Sequence, residues 1–579
     1  MAARSVAQES VPVNSSFVNN SQPTPTPHNP FKPLPLSVEN TFVNIPRLAE
    51  LLHGYPDSYQ AEYILHGLKH GFDIGFAGQI SEQVRKNNRS ARDNHIKVTL
   101  AINKEITRGH TAGPFPHPPF PINHISPLGA APKQDGTCRL VLDLSQPRGE
   151  SVNDYIDKSE FPCSYMHFDT ATELVIRVGM GCYLSKIDIK HAYRLLPVRP
   201  EDWPLLVYQW DGKYFVDLKL PFGGRSSASI FTSFADLICW ILTQKHHLIV
   251  IHYSDDFLLI TRADLELALA HLQKLKSVFA YLEIPIAEDK LVGPSTNVPF
   301  LGIQIDSRDF CVSIPQDKIR QIMEIMPRWC KRRTCTLKEL QSLNGKLNFL
   351  SKVIVAGRIF TRRLIDLTTT VSKSYHHITI NREARDDIHW WCDLLQTCNR
   401  SSFIPDPKRI YSTDLLLFTD AAKQVGLGAI YGTAWIQAKW TDHMMDDVDD
   451  INFLELFAIM AAVLTWGHTW AGKRIVIVTD NKNITQIWSS GSSPIPNIMS
   501  LIRKLYLFAA FNKFSLSLKH IFGHFNPIAD ALSRFQMTRF QHLMPDAETT
   551  PTPIPPEVWD LRGHICSPGG NSRSLQGHT

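Results

Sequence analysis

Two short apolar runs, Leu248–His252 and Phe257–Ile260, flank the polar segment Tyr253-Ser254-Asp255-Asp256. Runs of this length bounded by turn residues predict strand, tight turn, strand. A similar β-like run upstream, Tyr183 to Ile187, closes on Asp188 and is followed five residues later by Tyr193. Between them, Leu220-Pro-Phe-Gly-Gly-Arg-Ser-Ser-Ala-Ser-Ile-Phe-Thr232 reads as a turn that opens a helix. After residue 408 the pattern starts afresh. Leu415–Ala422 predicts a strand ending at Asp420, and the glycine-rich Val425–Gly432 its returning partner. In Asn452–Leu464, Phe453, Phe457, Met460 and Leu464 recur at three- and four-residue spacing, which predicts a helix. Arg474–Asn481 is a continuous β-branched run of the kind buried between helices, and His520–Arg534 a loop entering a helix near Asp530.

Charge at the ends of these elements changes the picture. Asp255 and Asp256 place two anions at a hairpin tip, where a divalent metal ion offsets their repulsion. Phosphoryl transfer by two metal ions, roughly 3.5–4 Å apart, needs carboxylates converging from separate strands, and Asp188 with Asp255 suits that need. Glu455 sits inside an apolar helix, where an unpaired charge is costly, and Asp480 emerges where its strand ends. Each carboxylate alone has an ordinary alternative, a solvated turn or a charge at a helix N-terminus. Their number and order give the pattern its weight.

In sequence order, the Asp188 segment, the Phe222-Gly223 segment and the Tyr253-Ser-Asp-Asp256 box resemble the palm of a reverse transcriptase. The resemblance implies that Asp188, Asp255 and Asp256 are catalytic metal ligands and that Phe222 and Gly223 lie under a template base and incoming nucleotide. Pro127–Ser145 resembles the fingers hairpin, with Lys133 and Arg139 at the triphosphate-gripping positions. Tyr193 matches an aromatic gate against a ribose 2′-OH, Lys290 a proton donor to pyrophosphate, and Phe300–Asp306 the primer grip. Further on, Asp420, Glu455, Asp480 and Asp530 resemble the four-carboxylate site of ribonuclease H, with His520 or His524 assisting product release. The implied cofactors are two Mg²⁺ ions per site, with Mn²⁺ as the alternative. The implied partners are an RNA template, a DNA primer, the RNA–DNA hybrid and dNTPs.

The fold expected is a multidomain α/β (α+β) chain, a right-hand polymerase followed by an RNase H-like domain. Residues 1–38 are expected to be disordered, 39–95 a helical lead-in to the fingers (helical from Leu48 to Leu68), and 96–310 fingers and palm. Residues 311–407 are expected as a basic helical thumb and connection, 408–540 as the nuclease, and 541–579 as a disordered proline-rich tail. The function expected is RNA-directed DNA polymerase with ribonuclease H activity. The alternatives are a non-catalytic nucleic-acid binder descended from such an enzyme, or a chain retaining only the nuclease. Gly109–Phe115, Leu142–Asp154, Leu340–Phe349 and Ala529–Arg534 are similar to DIRS-like retrotransposons, which carry a tyrosine recombinase in place of an integrase. Ala228-Ser229 and Phe522 depart from the family pattern without removing a metal ligand.

Bulk properties add little. The 579 residues are long enough for several domains, and 43% hydrophobic residues supply real cores. A net charge of +5 identifies no partner by itself. Local charge is more telling: Lys331, Arg332, Arg333, Lys338, Lys346, Lys352, Arg358, Arg362 and Arg363 crowd one helical-looking stretch suited to a phosphate backbone. Ten cysteines without a CxxC pair argue for a reducing compartment and against a zinc knuckle. No apolar run was long enough to predict a membrane span and no signal-peptide pattern opens the chain, so an intracellular protein, cytoplasmic or nuclear, is expected. Asp169-Thr170-Ala171 looks like an aspartic-protease triplet but lacks the flanking strand pattern. No recombinase residue set is present, so a recombinase or capsid protein of the parent element is expected on another chain.

Overall fold

The computed structural model describes residues 42–79, 82–133, 135–354, 357–397, 401–403, 408–441, 450–493, 495–521 and 526–560. The expectations for residues 1–38, Phe522, His524 and 561–579 lie outside them. The chain divides into two compact units.

The first unit is built from Lys69–Asp157 and Pro197–Gly224. It holds a five-stranded sheet in the order Gln83–Val84, His124–Ile125, Val207–Trp210, Lys213–Asp217, Thr111–Phe115. A separate antiparallel hairpin pairs Leu128–Pro132 with Cys138–Leu142. The Pro221–Gly224 turn closes onto the end of this hairpin, where Leu142 N–H donates to the Phe222 carbonyl at 2.9 Å. Gly223 has φ +118°, and a Cβ there would stand 2.0 Å from the Leu142 carbonyl oxygen, so only glycine fits.

In the second unit, an antiparallel sheet runs in the order Val292–Ser295, Tyr183–Asp188, Asp256–Thr261, Ile249–Tyr253. The central strand buries Phe257, Leu258, Leu259 and Ile260 on both faces, as its unbroken apolar run requires. Helix Ser227–Trp240 packs on Ile249–Tyr253, and helix Leu265–Tyr281, capped by Asp264, on the other strands. Asp169 lies in the first turn of helix Phe168–Val178, a setting unlike a protease loop.

The lead-in differs from expectation. It is two helices, Ile45–Leu51 and Ser58–His70, broken where Gly54 takes φ +86° ahead of Pro56. The first docks on the end of the Leu265–Tyr281 helix: Asn44 N–H donates to the Leu282 carbonyl at 2.9 Å and Arg47 pairs with Glu283.

Helices Gln316–Lys331, Leu337–Leu350, Gly357–Leu367 and Arg382–Thr397 follow. Lys331, Lys338, Lys346, Arg358 and Arg362 are exposed on them, and Arg333 and Lys352 on the connections between them. Arg332 pairs with Glu339 at 2.6 Å and Arg362 with Asp366 at 3.0 Å. Arg363 instead turns inward with Arg503 toward the buried Asp387, at 3.7 and 2.8 Å.

The C-terminal lobe combines an antiparallel meander, Leu417–Ala422, Gly426–Tyr431 and Ala434–Lys439, with a parallel set, Arg409–Tyr411, Arg474–Thr479 and Ser515–His520. The Asp420 strand begins at Leu417, two residues later than expected, because Ser412–Leu415 forms a 3₁₀ turn and Leu416 is left-handed. Helix Pro527–Ser533 lies on the meander, with Asn526 Nδ2 donating to the Thr419 carbonyl and Gln437 Nε2 to that of Leu532. A Cβ on Gly428 would stand 2.4 Å from Leu532 Cβ and 2.5 Å from Ser533 N, so this glycine sets how near the helix can come.

Two further expectations need correcting. The stretch Ile451–Thr469 is long and apolar enough to cross a membrane, but 78% of its apolar window is buried against the Asp420 meander and helix Pro496–Phe511. It is the core helix of this lobe, and its apolar run is continuous because neighbours surround it. The part of the tail described, 541–560, is packed instead of disordered. Thr552 N–H donates to the Trp435 carbonyl, Val558 is fully buried, and the Trp559 ring lies 5.6 Å from Phe457. The buried Lys504 ammonium donates to the carbonyls of Glu557 and Asp560. Prolines lower the entropy lost when this segment docks, and its Val and Trp supply apolar area that composition alone hid.

Because backbone and not a flexible tip faces Gly428, Gly428→Ala should destabilise this lobe by about 1–3 kcal/mol. An unchanged midpoint in urea unfolding, followed by circular dichroism, would contradict this packing.

Candidate active sites

The first cluster arises from register. Across the antiparallel pair, Asp256 stands opposite Asp188 on one side and Tyr253 on the other, so the strand end and hairpin tip converge. Ser254, at φ +54°, turns the hairpin, and Ile189 N–H donates to the Asp255 carbonyl at 3.0 Å, tying the turn to the end of the Asp188 strand. Burial raises both Asp188 and Asp255 above the ordinary carboxylate range, and repulsion from neighbouring carboxylates adds to it, from Asp256 on Asp188 and from Asp188 on Asp255.

Lysines answer this charge. Lys290 donates to both oxygens of Asp188, at 3.0 and 2.9 Å. Burial works against the ammonium, but the contact with Asp188 and the nearby Asp255 and Asp256 hold it above its usual range. Lys186 approaches Asp256 Oδ1 at 3.0 Å. That approach is not aligned as a hydrogen bond, which leaves Oδ1 a buried acceptor without a donor.

Tyr193 lies beside the cluster in a 3₁₀ turn entered through the left-handed His191 and Ala192. Its ring meets Phe231 edge-on at 5.3 Å. Burial raises its hydroxyl, although hydrogen bonds donated by Tyr165 and Ser254 oppose that. Tyr165 also stacks on Tyr253 at 4.7 Å.

In the other unit, Lys133 and Arg139 are both exposed at the open end of the Leu128–Leu142 hairpin. The Arg139 guanidinium lies over the Phe222 ring, 4.5 Å from its centroid. Thus Lys133, Arg139, Phe222 and Gly223 share one hairpin and its flanking turn.

The third cluster lines a cleft of about 760 Å³ in the C-terminal lobe, where Asp420, Glu455, Asp480 and Asp530 meet. Strand Leu417–Ala422 carries Asp420, Glu455 comes from the core helix, Asp480 follows strand Arg474–Thr479, and Asp530 opens the last helix pair. Burial, with Asp420 and Asp480 nearby, pushes Glu455 up to about 8. Asp420 is also raised, by burial and then by Asp530 and Asp480, against a 2.5 Å hydrogen bond from Ser533 Oγ. Asp530 behaves oppositely. Burial would raise it, yet hydrogen bonds from Arg534 Nε at 2.6 Å and Arg539 Nη1 at 2.7 Å hold it below the usual range. His520 ends its strand, exposed.

Sequence reasoning missed Lys186, Tyr165, Ser533, Arg534 and Arg539 as neighbours of these carboxylates and tyrosines. Lys186 was findable, since it shares a strand face with Asp188 two residues away, and Arg534 follows Asp530 by one helical turn. Arg539 reaches Asp530 across a chain reversal that no spacing announces. Among the described residues no three His, Cys, Asp or Glu side chains stand as they would to hold a metal ion. By the chemistry of their donors both carboxylate clusters suit a divalent cation, with hard oxygen atoms whose mutual repulsion such an ion offsets.

Residues 131–305 match the family model for reverse transcriptase (RNA-dependent DNA polymerase). The first carboxylate cluster lies within this matched stretch. Among curated proteins, the Tf2-3 and Tf2-4 transposon polyproteins of Schizosaccharomyces pombe are each 24% identical over 456 residues, 75% of this chain and 30% of theirs. The chain thus spans about a third of the length of these relatives. Among solved structures, a foamy viral protease-reverse transcriptase dRH in complex with dsDNA is similar at TM-score 0.48 and 16% identity, covering 85% of this chain and 84% of that one. The foamy viral protein in complex with an RNA/DNA hybrid gives TM-score 0.44 at 16% identity, covering 84% and 64%.

The raised Glu455 has a sign that can be checked. A carboxyl whose folded value, about 8, lies above its unfolded one, 4.5, binds its proton more tightly when folded. Its contribution to stability is full below about 4.5 and is lost as pH rises toward 8. In chelator, the lobe should weaken across that window, and Glu455→Gln should flatten the slope; equal slopes in urea unfolding would refute the assignment.

Proposed function

We propose that the chain is an RNA-directed DNA polymerase with an associated ribonuclease H, from a retrotransposon of DIRS-like type. The observation that carries the polymerase reading is the convergence of Asp188, Asp255 and Asp256 at adjoining strand ends within the stretch that matches the reverse transcriptase family model. The nuclease reading rests on four carboxylates from four elements lining one cleft. The element type rests on Gly109–Phe115, Leu142–Asp154, Leu340–Phe349 and Ala529–Arg534.

Asp188 and Asp255, supported by Asp256, would hold two Mg²⁺ ions, or Mn²⁺, in the polymerase, and Asp420, Glu455, Asp480 and Asp530 two more in the nuclease. Such ions supply positive charge that acidifies an attacking hydroxyl or water and stabilises the leaving oxygen. The polymerase forms a bond between the primer 3′ oxygen and the α-phosphorus of a dNTP and breaks the bond to pyrophosphate. Lys133 and Arg139 bind the triphosphate, the planar Arg fork pairing with phosphate oxygens. Phe222 and Gly223 support the template base and incoming nucleotide, and Lys290, an ammonium beside Asp188, holds a proton for the departing pyrophosphate. Tyr193 closes the space a ribose 2′-OH would need, favouring dNTPs. The nuclease breaks the bond between phosphorus and the RNA 3′ oxygen in the hybrid, with water supplying the new oxygen. The exposed basic residues Lys331 to Arg362 track the phosphates of the template and primer duplex.

Two substitutions separate the activities. Asp255→Asn should cut primer extension on an RNA template by at least about 10²–10³-fold while hybrid cleavage continues, and Asp480→Asn should do the reverse, the scale of losing one group that stabilises transition-state charge. Folded wild-type protein that binds the hybrid yet neither extends nor cleaves it would establish a binding protein instead.

A further inference from the structure

Asp530 differs from the other carboxylates of the nuclease cleft because both its oxygens are occupied by arginine. Arg534 Nε donates to Oδ1 at 2.6 Å and Arg539 Nη1 to Oδ2 at 2.7 Å. The two arginines reach it from different places. Arg534 follows it by one turn at the end of helix Pro527–Ser533, and Arg539 comes from helix Met537–Leu543 after the left-handed reversal at Phe535. Arg539 Nη1 also donates to Gln536 Oε1 at 2.8 Å, so its head group is oriented from its own helix as well. Both guanidinium groups line the cleft itself, and their side chains remain 52% and 44% exposed.

An ion pair this exposed contributes little to stability, and an Asp–Arg–Arg clasp is unnecessary for holding two short helices together. Its placement has a more specific consequence. Each Asp530 oxygen keeps a second lone pair, but two guanidinium charges at 2.6 and 2.7 Å neutralise the carboxylate and repel a divalent ion approaching it, so the ion and the arginines compete for Asp530. A guanidinium displaced from Asp530 into a cleft that receives a phosphodiester has a second partner of matching geometry, since Arg pairs with phosphate as it does with carboxylate.

We propose that Arg539, with Arg534, is a transferable counter-ion: it neutralises Asp530 in the empty cleft, releases it when a divalent cation enters, and then binds a backbone phosphate of the RNA–DNA hybrid. Arg539 is thereby a positioning and substrate-binding residue of the nuclease, and cation binding and hybrid binding are coupled through it. The inference rests on the nuclease reading above.

The test uses the full chain carrying Asp255→Asn, so that heat from cation binding reports on the nuclease cleft, with Ca²⁺ as the probe because it suits oxygen ligands. Calorimetric titration of Ca²⁺ is compared with and without Arg539→Gln, and binding of a fluorescent RNA–DNA hybrid is measured in saturating Ca²⁺ by anisotropy. Removing the competitor should tighten Ca²⁺ binding by about threefold to fivefold, the scale of one exposed ion pair, while the hybrid binds more weakly by a similar factor. Arg539→Lys, which keeps the charge, should restore more than half of the lost hybrid affinity. Unchanged or weaker Ca²⁺ binding would overturn the inference, as would tighter Ca²⁺ binding with hybrid affinity unaltered, which would make Arg539 an obstacle and nothing more. Ca²⁺ binding that is undetectable, or insensitive to Asp480→Asn, would instead remove the nuclease reading and this inference with it.

Discussion

Repulsion between carboxylates gathered from separate elements is the constraint around which this chain is arranged. Antiparallel register sets Asp188 against Asp256, and the Ser254 turn adds Asp255 beside them. In the C-terminal lobe, four separate elements deliver Asp420, Glu455, Asp480 and Asp530 to one cleft. Such clusters oppose folding. They persist because the elements carrying them are fastened elsewhere, by the buried Phe257–Ile260 strand in one case and by the largely buried helix Ile451–Trp466 in the other.

The two clusters manage their charge differently. At the Asp188 cluster, lysines at the periphery offset the carboxylates, Lys290 on Asp188 and Lys186 near Asp256. In the C-terminal cleft the response is divided: Glu455 is driven toward its neutral form by burial, whereas Asp530 is kept ionised by two arginines. A single cleft thus contains carboxyl groups poised in opposite directions, which a cation entering it would equalise.

How much of this was legible in the sequence depended on whether the information was local. The strand ending at Asp188, the strand leading to Asp480 and the helix bearing Glu455 follow from runs and periodicities a few residues long, whereas the strand expected to end at Asp420 runs on to Ala422. The role of Gly428 was hidden, because its reason is a helix a hundred residues later that packs within reach of its missing Cβ. The lead-in helices read correctly as helical, but where they dock was hidden, since Asn44 and Arg47 find partners far along the chain at Leu282 and Glu283. The proline-rich tail misled for a different reason: composition averages over Val558 and Trp559, the residues that dock it. Arg539 was invisible because a reversal at Phe535, not a repeat, brings it to Asp530.

The central claim is that both clusters are divalent-cation sites. Its most direct test is Mn²⁺ binding followed by electron paramagnetic resonance on the full chain bound to an RNA–DNA hybrid, in wild type, Asp255→Asn, Asp480→Asn and the double variant. The account predicts that each single substitution removes part of the bound Mn²⁺ and that the losses add, because the clusters are separate. Folded wild-type protein that binds the hybrid but holds no more Mn²⁺ than the double variant would contradict it.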